Sequence, residues 1–199
     1  EIVDCDWSSD VCSSDLLHFH AGRIFGFNTD GVGLVADLER NLEFPLRDRR
    51  VLVLGAGGAT YGVMQPLLKA RPREIVVANR TPDKAVALVN RFRQAQPVAL
   101  EAKAFAALAG SRFDLVINAT SAGLSNEMPP LPRGIFAEGA LAYDMVYAKT
   151  TPFMTFAQNE GARTADGLGM LVEQAAQAFF IWRGVRPQTA PVLADLRAR

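Results

Sequence analysis

The chain has 199 residues, of which 49% are hydrophobic and 21% charged, a composition typical of a globular protein with one good-sized core. The 21 basic residues balance the 21 acidic ones, so no overall charge recruits nucleic acid or an anionic lipid surface. No apolar run approaches the roughly 20 residues that a membrane helix needs, so we expect neither nucleic acid nor a membrane among the partners.

The first 16 residues are unlike the rest of the chain. The stretch DWSSDVCSSDL, from Asp6 to Leu16, has no helical or strand period, and the two cysteines, Cys5 and Cys12, lie beside and within it. A disulfide hairpin and a polar, disordered leader are two interpretations. A third is that the stretch back-translates to DNA resembling a common sequencing-library adapter, so that residues 1–16 are a non-native leader on a shortened gene. The remaining chain then has no cysteine, which favours a reducing cytoplasm.

Regular patterns begin after this leader. LHFHAGRIFGFNTDG predicts a hairpin in which the HAGR turn joins two partly apolar runs. Its His18 and His20 are expected to face solvent rather than to bind a metal. GVGLVADLERNL has helical spacing of its apolar residues, and Thr29 or Asp30 can cap its start.

From Arg50 onward, apolar strands alternate with helices. The predicted strands are RVLVLG, EIVVANR, FDLVINAT and ALAYDMVY, and PVALEA and FAALAG continue the alternation. The predicted helices are GVMQPLLKA, PDKAVALVNRFRQ, PFMTFAQNEG, the long GLGMLVEQAAQAFFIWRG and the terminal APVLADLRAR. Pro66 is expected to kink the first of these helices or to fall in an early turn. The alternation predicts an α/β fold with a Rossmann-like, doubly wound and mostly parallel sheet.

A glycine-rich loop, VLVLGAGGATYG, follows the first of these strands and precedes a helix. In that context Gly55 permits a tight turn, Gly57 lets a pyrophosphate approach the backbone, and the helix N-terminus attracts the phosphates. Thr60 replaces the third glycine of the usual pattern, and an ordinary strand-to-helix turn is the alternative interpretation. The residues expected to contact the cofactor here are Gly55, Ala56, Gly57, Gly58 and Ala59.

The end of the second strand indicates which dinucleotide binds. An acidic side chain there would bind the ribose 2′-hydroxyl of NAD, but the sequence reads ANRTPDK. Arg80 can pair with a 2′-phosphate and lie against adenine, Thr81 can donate a hydrogen bond, and Lys84 adds positive charge. Thr81 can also cap the next helix. We therefore expect NADP (as NADPH) rather than NAD, with Asn79, Arg80, Thr81 and Lys84 at the cofactor.

Six separated motifs occur in the order of one family: GFNTDGVGLVADL, GAGGATYGV, NRTPDKA, DLVINATSAG, YDMVYAKTTPF and ADGLGMLVEQAAQAF. On these motifs the chain resembles the shikimate dehydrogenase family from about Leu17 to its end. The resemblance implies the NADP-dependent reduction of 3-dehydroshikimate to shikimate, on the route to aromatic amino acids. The alternatives are a quinate/shikimate dehydrogenase, another NAD(P) reductase on this scaffold, and a non-catalytic nucleotide-binding module.

The resemblance also assigns individual residues. Asp30 corresponds to the catalytic aspartate, which holds the reacting hydroxyl and relays its proton, and Tyr147 and Gln174 correspond to substrate-binding residues. Thr120 and Ser121 are expected beside the cofactor, and Met145 and Gly167 beside its nicotinamide. An arginine often stands where this chain has Lys84. No metal is implied.

The resemblance divides the chain into four parts. They are the leader at 1–16, a remnant and linking helix of a second, substrate-binding domain at 17–45, the NADP-binding domain at 46–165, and helices packing between domains at 166–199. In the family a lysine partners the aspartate, and the first lysine of this chain is Lys69. We therefore expect this chain to bind NADP without reducing dehydroshikimate. We also expect exposed apolar surface around Phe179, Phe180 and Trp182 to favour self-association, for example as a homodimer.

Overall fold

The computed structural model describes residues 15–20, 23–93, 97–120 and 127–198. The strands are β1 (Leu16–His20), β2 (Arg23–Phe27), β3 (Arg50–Leu54), β4 (Glu74–Ala78), β5 (Ala99–Lys103), β6 (Phe113–Asn118), β7 (Phe136–Asp144) and β8 (Arg163–Ala165). The helices are α1 (Asp30–Ala36), α2 (Gly58–Lys69), α3 (Pro82–Phe92), α4 (Pro152–Asn159), α5 (Leu168–Arg183) and α6 (Ala190–Arg197).

Six strands form one parallel sheet in the order β5-β4-β3-β6-β7-β8. The chain therefore builds outward from β3 to β5, returns to the other side of β3, and builds outward again to β8. Such a reversal leaves a crevice at the carboxyl ends of the two central strands, which here are β3 and β6. The expected α/β fold with a doubly wound, Rossmann-like sheet is confirmed.

Both faces of the sheet are covered. Val51 and Val53 of β3 point into one core with α2 and α3, whereas Leu52 and Leu54 point into the other with α4. All four side chains are fully buried, as alternation along a strand between two helical layers requires. This burial explains why the sequence of β3 is a continuous apolar run rather than an alternating one.

Helix α1 is held between α2 and α5 by two glycines. A Cβ on Gly31 would lie 2.5 Å from Pro66 Cγ, and one on Gly33 would lie 2.7 Å from the carbonyl oxygen of Met170. Helix α2 begins at Gly58, four residues earlier than expected, so Pro66 lies in the helix interior and not in an early turn. Pro66 cannot bond to the Gly62 carbonyl, and Gly31 packs against that carbonyl instead.

The hairpin of β1 and β2 forms a sheet of its own. Strand β1 starts at Leu16, which is buried, so the last residue of the expected leader belongs to the hairpin. Contrary to the expectation for its histidines, His18 is half-buried with its ring at the edge of Phe27, and the apolar Leu17 and Phe19 are exposed instead. The cysteines, the side chain of His20 and the tip of the hairpin turn lie outside the described residues.

Further elements differ from the sequence prediction. Helix α1 continues as a π-helix over Asp37–Asn41, FAALAG forms a 3₁₀ helix over Phe105–Leu108, and the edge strand β8 was not expected. A strand of three residues leaves too short a pattern to recognise. Across the described ranges, none of the helices is long and apolar enough to span a bilayer.

Candidate functional site

A cleft of about 390 Å³ opens at the carboxyl ends of β3, β4 and β6. The glycine-rich loop after β3 forms its floor, the turn after β4 forms one side, and the residues after β6 form the other. Eight of the residues expected at the cofactor line it together: Gly55, Ala56, Gly57, Asn79, Arg80, Thr81, Lys84 and Thr120. These residues come from three separate stretches of the sequence, so the fold alone brings them to one place.

Gly55 makes the turn out of β3. Its φ of +104° is a conformation that side-chain-bearing residues rarely adopt, and a Cβ there would lie 3.0 Å from the Ala119 carbonyl oxygen. The hydroxyl of Thr60 donates a hydrogen bond to the Gly55 carbonyl oxygen at 2.9 Å. The residue that replaces the third glycine of the motif therefore stabilises the loop from beneath.

The next two glycines face open space. A Cβ on Gly57, the N-cap residue of α2, or on Gly58, its first residue, would meet no atom within 4 Å other than those of its chain neighbours and of the helix's own backbone. The amides of the first helical turn point out of the helix without partners inside it, and the helix dipole makes this end positive. The loop is therefore an uncovered cradle for an anion.

The turn after β4 adds cationic side chains to the cleft. Asn79 holds the shape of the turn, because its side-chain Nδ2 donates to the Thr81 carbonyl oxygen at 2.9 Å. Thr81 is the N-cap residue of α3, but its side chain accepts no capping hydrogen bond, and Pro82 begins the helix. Arg80 and Lys84 are both exposed on the cleft wall. Among the described residues that line this side of the cleft, none is acidic.

The far wall was largely missed by the sequence prediction. Ala119 follows β6 directly, and the rule that ligands meet the carboxyl ends of strands could have identified it. The remaining additional lining residues are Phe105, Glu127, Met128, Pro129 and Pro130. Phe105 begins the 3₁₀ helix after β5, whereas the other four come from an irregular segment that carries no periodic pattern. Ser121 lies outside the described residues.

Four other expected cofactor residues do not line the cleft itself. Gly58 and Ala59 belong to the first turn of α2. Met145 follows β7, and its amide donates to the Asn118 carbonyl oxygen at 3.1 Å. Gly167 lies against the backbone of Met145, where a Cβ would clash. Met145 and Gly167 thus form one close-packed unit beyond the cleft, next to the end of β6.

Asp30 is the first residue of α1 and is half-buried. Its amide donates to Asn28 Oδ1 at 3.2 Å. Thr29 occupies the N-cap position but makes no capping bond with its side chain; its hydroxyl donates to Asp15 Oδ2 at 2.6 Å. Burial raises the pKa of the Asp30 carboxyl, the Asp15 carboxylate raises it further, and a hydrogen bond with Asn28 opposes both.

Gln174 lies on α5 where that helix crosses α1. A Cβ on Gly33, three residues after Asp30, would lie 2.8 Å from the Gln174 amide nitrogen, so the two helices are in backbone contact. Tyr147 lies in the turn after β7 and is 47% exposed. The fold therefore carries Asp30 and Gln174 on contacting helices and presents Tyr147 at the carboxyl edge of the sheet. Among the described residues, no group of three His, Cys, Asp or Glu could hold a metal ion.

A doubly wound parallel sheet with a glycine-rich cradle at its crevice defines a Rossmann-type dinucleotide-binding fold. Residues 38–125 match the family model for shikimate/quinate 5-dehydrogenase, and residues 167–197 match the model for the shikimate 5′-dehydrogenase C-terminal domain. The chain is 60% identical to the NADP(+) shikimate dehydrogenase of Methylobacillus flagellatus over 190 residues, covering 95% of this chain and 70% of that protein. The chain belongs to the shikimate dehydrogenase family.

Solved structures with a similar fold support the same family assignment. The Ael1 enzyme from Pseudomonas putida superposes with a TM-score of 0.87 at 51% identity, over 92% of this chain and 67% of that one. Shikimate 5-dehydrogenase from Thermus thermophilus, in complex with NADP(H) and shikimate, superposes with a TM-score of 0.76 at 35% identity, over 92% of this chain and 66% of that one. The chain thus spans about two thirds of the length of these relatives.

Proposed function

We propose that this chain provides the NADP-binding part of an enzyme that reduces 3-dehydroshikimate to shikimate. The observation that carries the proposal is the cleft, which joins the glycine-rich loop, open at Gly57, to the cationic Arg80 and Lys84. Family membership supports the same reaction, since several relatives with 55–60% identity are NADP(+) shikimate dehydrogenases. The division into a leader, a substrate-domain remnant, a cofactor domain and closing helices is part of the proposal.

The residues of the cleft fit NADP. The open cradle at Gly57 and Gly58 leaves room for a pyrophosphate against the start of α2. Arg80 can hold the 2′-phosphate with two parallel hydrogen bonds, whereas Lys84 acts on it as a point charge. Bound NADPH would supply the hydride. Met145 and Gly167 are proposed to contact its nicotinamide end.

Asp30 is proposed to hold the reacting hydroxyl group of the substrate and to relay its proton. A half-buried carboxyl with a raised pKa keeps its proton closer to neutral pH than an ordinary aspartate does, which suits this role. Gln174 and Tyr147 are proposed to orient the substrate. The family pairs its aspartate with a lysine, and the first lysine here is Lys69, on α2. We therefore expect residues 1–199 alone to bind NADPH and not to reduce dehydroshikimate.

Titration of the purified chain with NADPH and NADH tests the cofactor proposal. NADPH fluorescence should respond saturably, and NADH should bind more weakly. Arg80→Gln should weaken NADPH about tenfold through the lost ion pair and leave NADH nearly unchanged. Arg73→Gln, at the opposite end of β4, is the matched control. A folded chain that ignores NADPH would refute the proposal.

The substrate is tested in a longer protein that carries the partner lysine, assayed with shikimate and with quinate, each with NADP and NAD. Shikimate with NADP should be the preferred pair. Activity only with quinate and NAD would assign the quinate alternative instead. A cytoplasmic location and a homodimer are further parts of the proposal, to be tested by cell fractionation and by light scattering.

A further inference from the structure

Behind the cleft lies a buried carboxylate that no step above uses. Asp144 is the last residue of β7, is fully buried, and pairs in register with Asn118, the last residue of β6. Its Oδ2 accepts hydrogen bonds from Asn118 Nδ2 at 3.1 Å and from the Thr151 hydroxyl at 2.6 Å. Its Oδ1 accepts one from the Val146 amide at 3.0 Å. Three donors thus converge on one carboxylate.

Two of these bonds lead to segments at the proposed site. Asn118 Oδ1 accepts from the Thr120 amide at 3.2 Å and from the Thr120 hydroxyl at 2.7 Å, and Thr120 lines the cleft. The Val146 amide lies between Met145 and Tyr147, in the turn after β7. Hydrogen bonds therefore link Asp144 to the cleft wall through Asn118. A direct hydrogen bond links it to the turn that carries the proposed nicotinamide and substrate contacts.

The third bond leads away from the cleft. The Thr151 hydroxyl donates to Asp144 and accepts a hydrogen bond from the Met154 amide at 3.3 Å, so Thr151 caps α4. Helix α4 packs on the second core, with Phe153 and Ala157 buried. This bond holds the start of α4 to the end of β7. A variant without the Thr151 hydroxyl would therefore remove one hydrogen-bond partner of Asp144 while leaving the residues of the cleft wall unchanged.

We propose that Asp144 is a positioning residue for the cofactor cleft, because its carboxylate fixes the orientation of the Asn118 amide, and that amide fixes Thr120 in the cleft wall. The proposal rests on the proposed function, since it assigns Thr120 to NADP binding. Asp144 is not one of the residues that line the cleft. It acts because a carboxylate only accepts hydrogen bonds, and so forces Asn118 to turn its donor inward and its acceptor toward Thr120.

Replacing the Asp144 carboxylate by an amide disrupts this hydrogen-bond network, because an amide also carries a donor. In Asp144→Asn, an amide hydrogen must face either the Val146 amide or the pair formed by Asn118 and Thr151. Facing Val146 removes a bond from the turn. Facing Asn118 makes that residue rotate, which brings its NH₂ group against the Thr120 amide, loses that bond, and turns the Thr120 hydroxyl from a donor to Asn118 into an acceptor. Either arrangement disturbs the site, although the substitution leaves side-chain volume almost unchanged.

The test compares Asp144→Asn with Thr151→Val in the full 199-residue chain. Asp144→Asn should raise the NADPH Kd about tenfold, as loss of a supporting contact behind a binding residue does. Thr151→Val removes the other hydrogen bond and the α4 cap, so its urea midpoint should fall while its NADPH Kd stays within about twofold of wild type. Equal NADPH affinity in Asp144→Asn and wild type would overturn the proposal.

Two further variants test the relay itself. Asn118→Asp alone places two buried carboxylates in contact and should weaken both folding and NADPH binding. Combined with Asp144→Asn, it restores an acceptor facing Thr120, and the amide introduced at position 144 donates to the carboxylate introduced at position 118. The double variant should therefore recover part of the lost affinity. If Asp144→Asn does not fold, Asn118→Ser removes the same link and should raise the NADPH Kd by a similar factor; unchanged affinity in that variant would equally overturn the proposal.

Hydrogen exchange separates this proposal from the proposed function. In the cofactor-free chain, Asp144→Asn should speed exchange at the Thr120 or Val146 amide and leave the Val53 amide of β3 protected. Unchanged exchange at both amides refutes the positioning role, whether or not NADPH binds. Failure of the wild-type chain to bind NADPH refutes the proposed function, and the exchange rates then decide the role of Asp144.

Discussion

At the scale of single residues, the two glycines of the cleft floor perform different tasks. Gly55 is required by the backbone, since its φ is +104° and its Cα faces the Ala119 carbonyl, whereas Gly57 has an ordinary φ of −98° and open space above it. Gly55→Ala should therefore lower the free energy of unfolding by about 1–3 kcal/mol, measured by urea denaturation.

Gly57→Ala is the matched substitution at the neighbouring position. It should leave the urea midpoint nearly unchanged and weaken NADPH binding, because its methyl group would occupy the proposed pyrophosphate cradle. Loss of stability in Gly57→Ala with full NADPH affinity would show that the open space at this glycine is not a ligand site.

The raised pKa of Asp30 makes the stability of the fold depend on pH. The pKa of Asp30 is raised, first by burial and then by the Asp15 carboxylate, so the folded chain holds the Asp30 proton more tightly than the unfolded chain does. Its contribution to stability is complete below the unfolded pKa of about 3.9 and is lost as the pH rises through the folded pKa.

Asp15→Asn should lower the pKa of Asp30 and so reduce that loss. An NMR titration of the Asp30 carboxyl carbon measures the shift directly, and urea midpoints between about pH 4 and pH 7 measure its consequence. An Asp30 pKa that stays the same or rises in Asp15→Asn would contradict the assignment of Asp15 as a cause.

At the scale of elements, the crossing of α1 and α5 positions Asp30 relative to Gln174. A Cβ on Gly33 would lie 2.7 Å from the Met170 carbonyl oxygen and 2.8 Å from the Gln174 amide nitrogen. Both atoms belong to a helix backbone that cannot yield locally. Gly33→Ala should therefore separate the helices and cost about 1–3 kcal/mol of unfolding free energy, measured by urea denaturation.

Val32→Ala is the control for this crossing. Val32 lies on the same helix and is 38% exposed, so its truncation should change stability by no more than about 0.5 kcal/mol. If Gly33→Ala were as well tolerated as Val32→Ala, the backbone contact between α1 and α5 would not be tight.

The elements also show what a sequence can and cannot predict. Strands β3, β4 and β6 were predictable because their apolar runs are long and bounded by glycine, asparagine and threonine. Half of the cleft was predictable for the same reason, since the glycine-rich loop and the NRT turn follow such strands directly. Glu127 to Pro130 were not, because a loop takes its place from tertiary contacts rather than from periodicity. The role of Asp144 was not predictable, because a single carboxylate in the sequence does not reveal that its side chain is buried and that it pairs in register with Asn118.

At the scale of the whole molecule, α5, α6 and the hairpin leave a large apolar area exposed. Phe19 is 69% exposed, Trp182 56% and Val185 62%, and an apolar groove of about 310 Å³ runs between α5 and α6. Surfaces of this kind favour association. We expect light scattering of the 199-residue chain to give a mass above 21.6 kDa that rises with concentration.

Phe180→Gln with Val185→Gln should shift that mass toward the monomer. Val86→Gln on α3 is the control, because Val86 is similarly exposed but lies on a different helix. A monomer at every concentration would contradict the expected self-association.

The order of the strands has a mechanical consequence. Gly55 and Arg80 follow strands of the half that is wound from β3 toward β5, whereas Ala119 and Thr120 follow the first strand of the half that is wound toward β8. A dinucleotide in the cleft would therefore contact both halves of the sheet, on either side of the boundary between β3 and β6. Its binding free energy would oppose the separation of β3 from β6, whether unfolding starts at the β5 edge or at the β8 edge of the sheet.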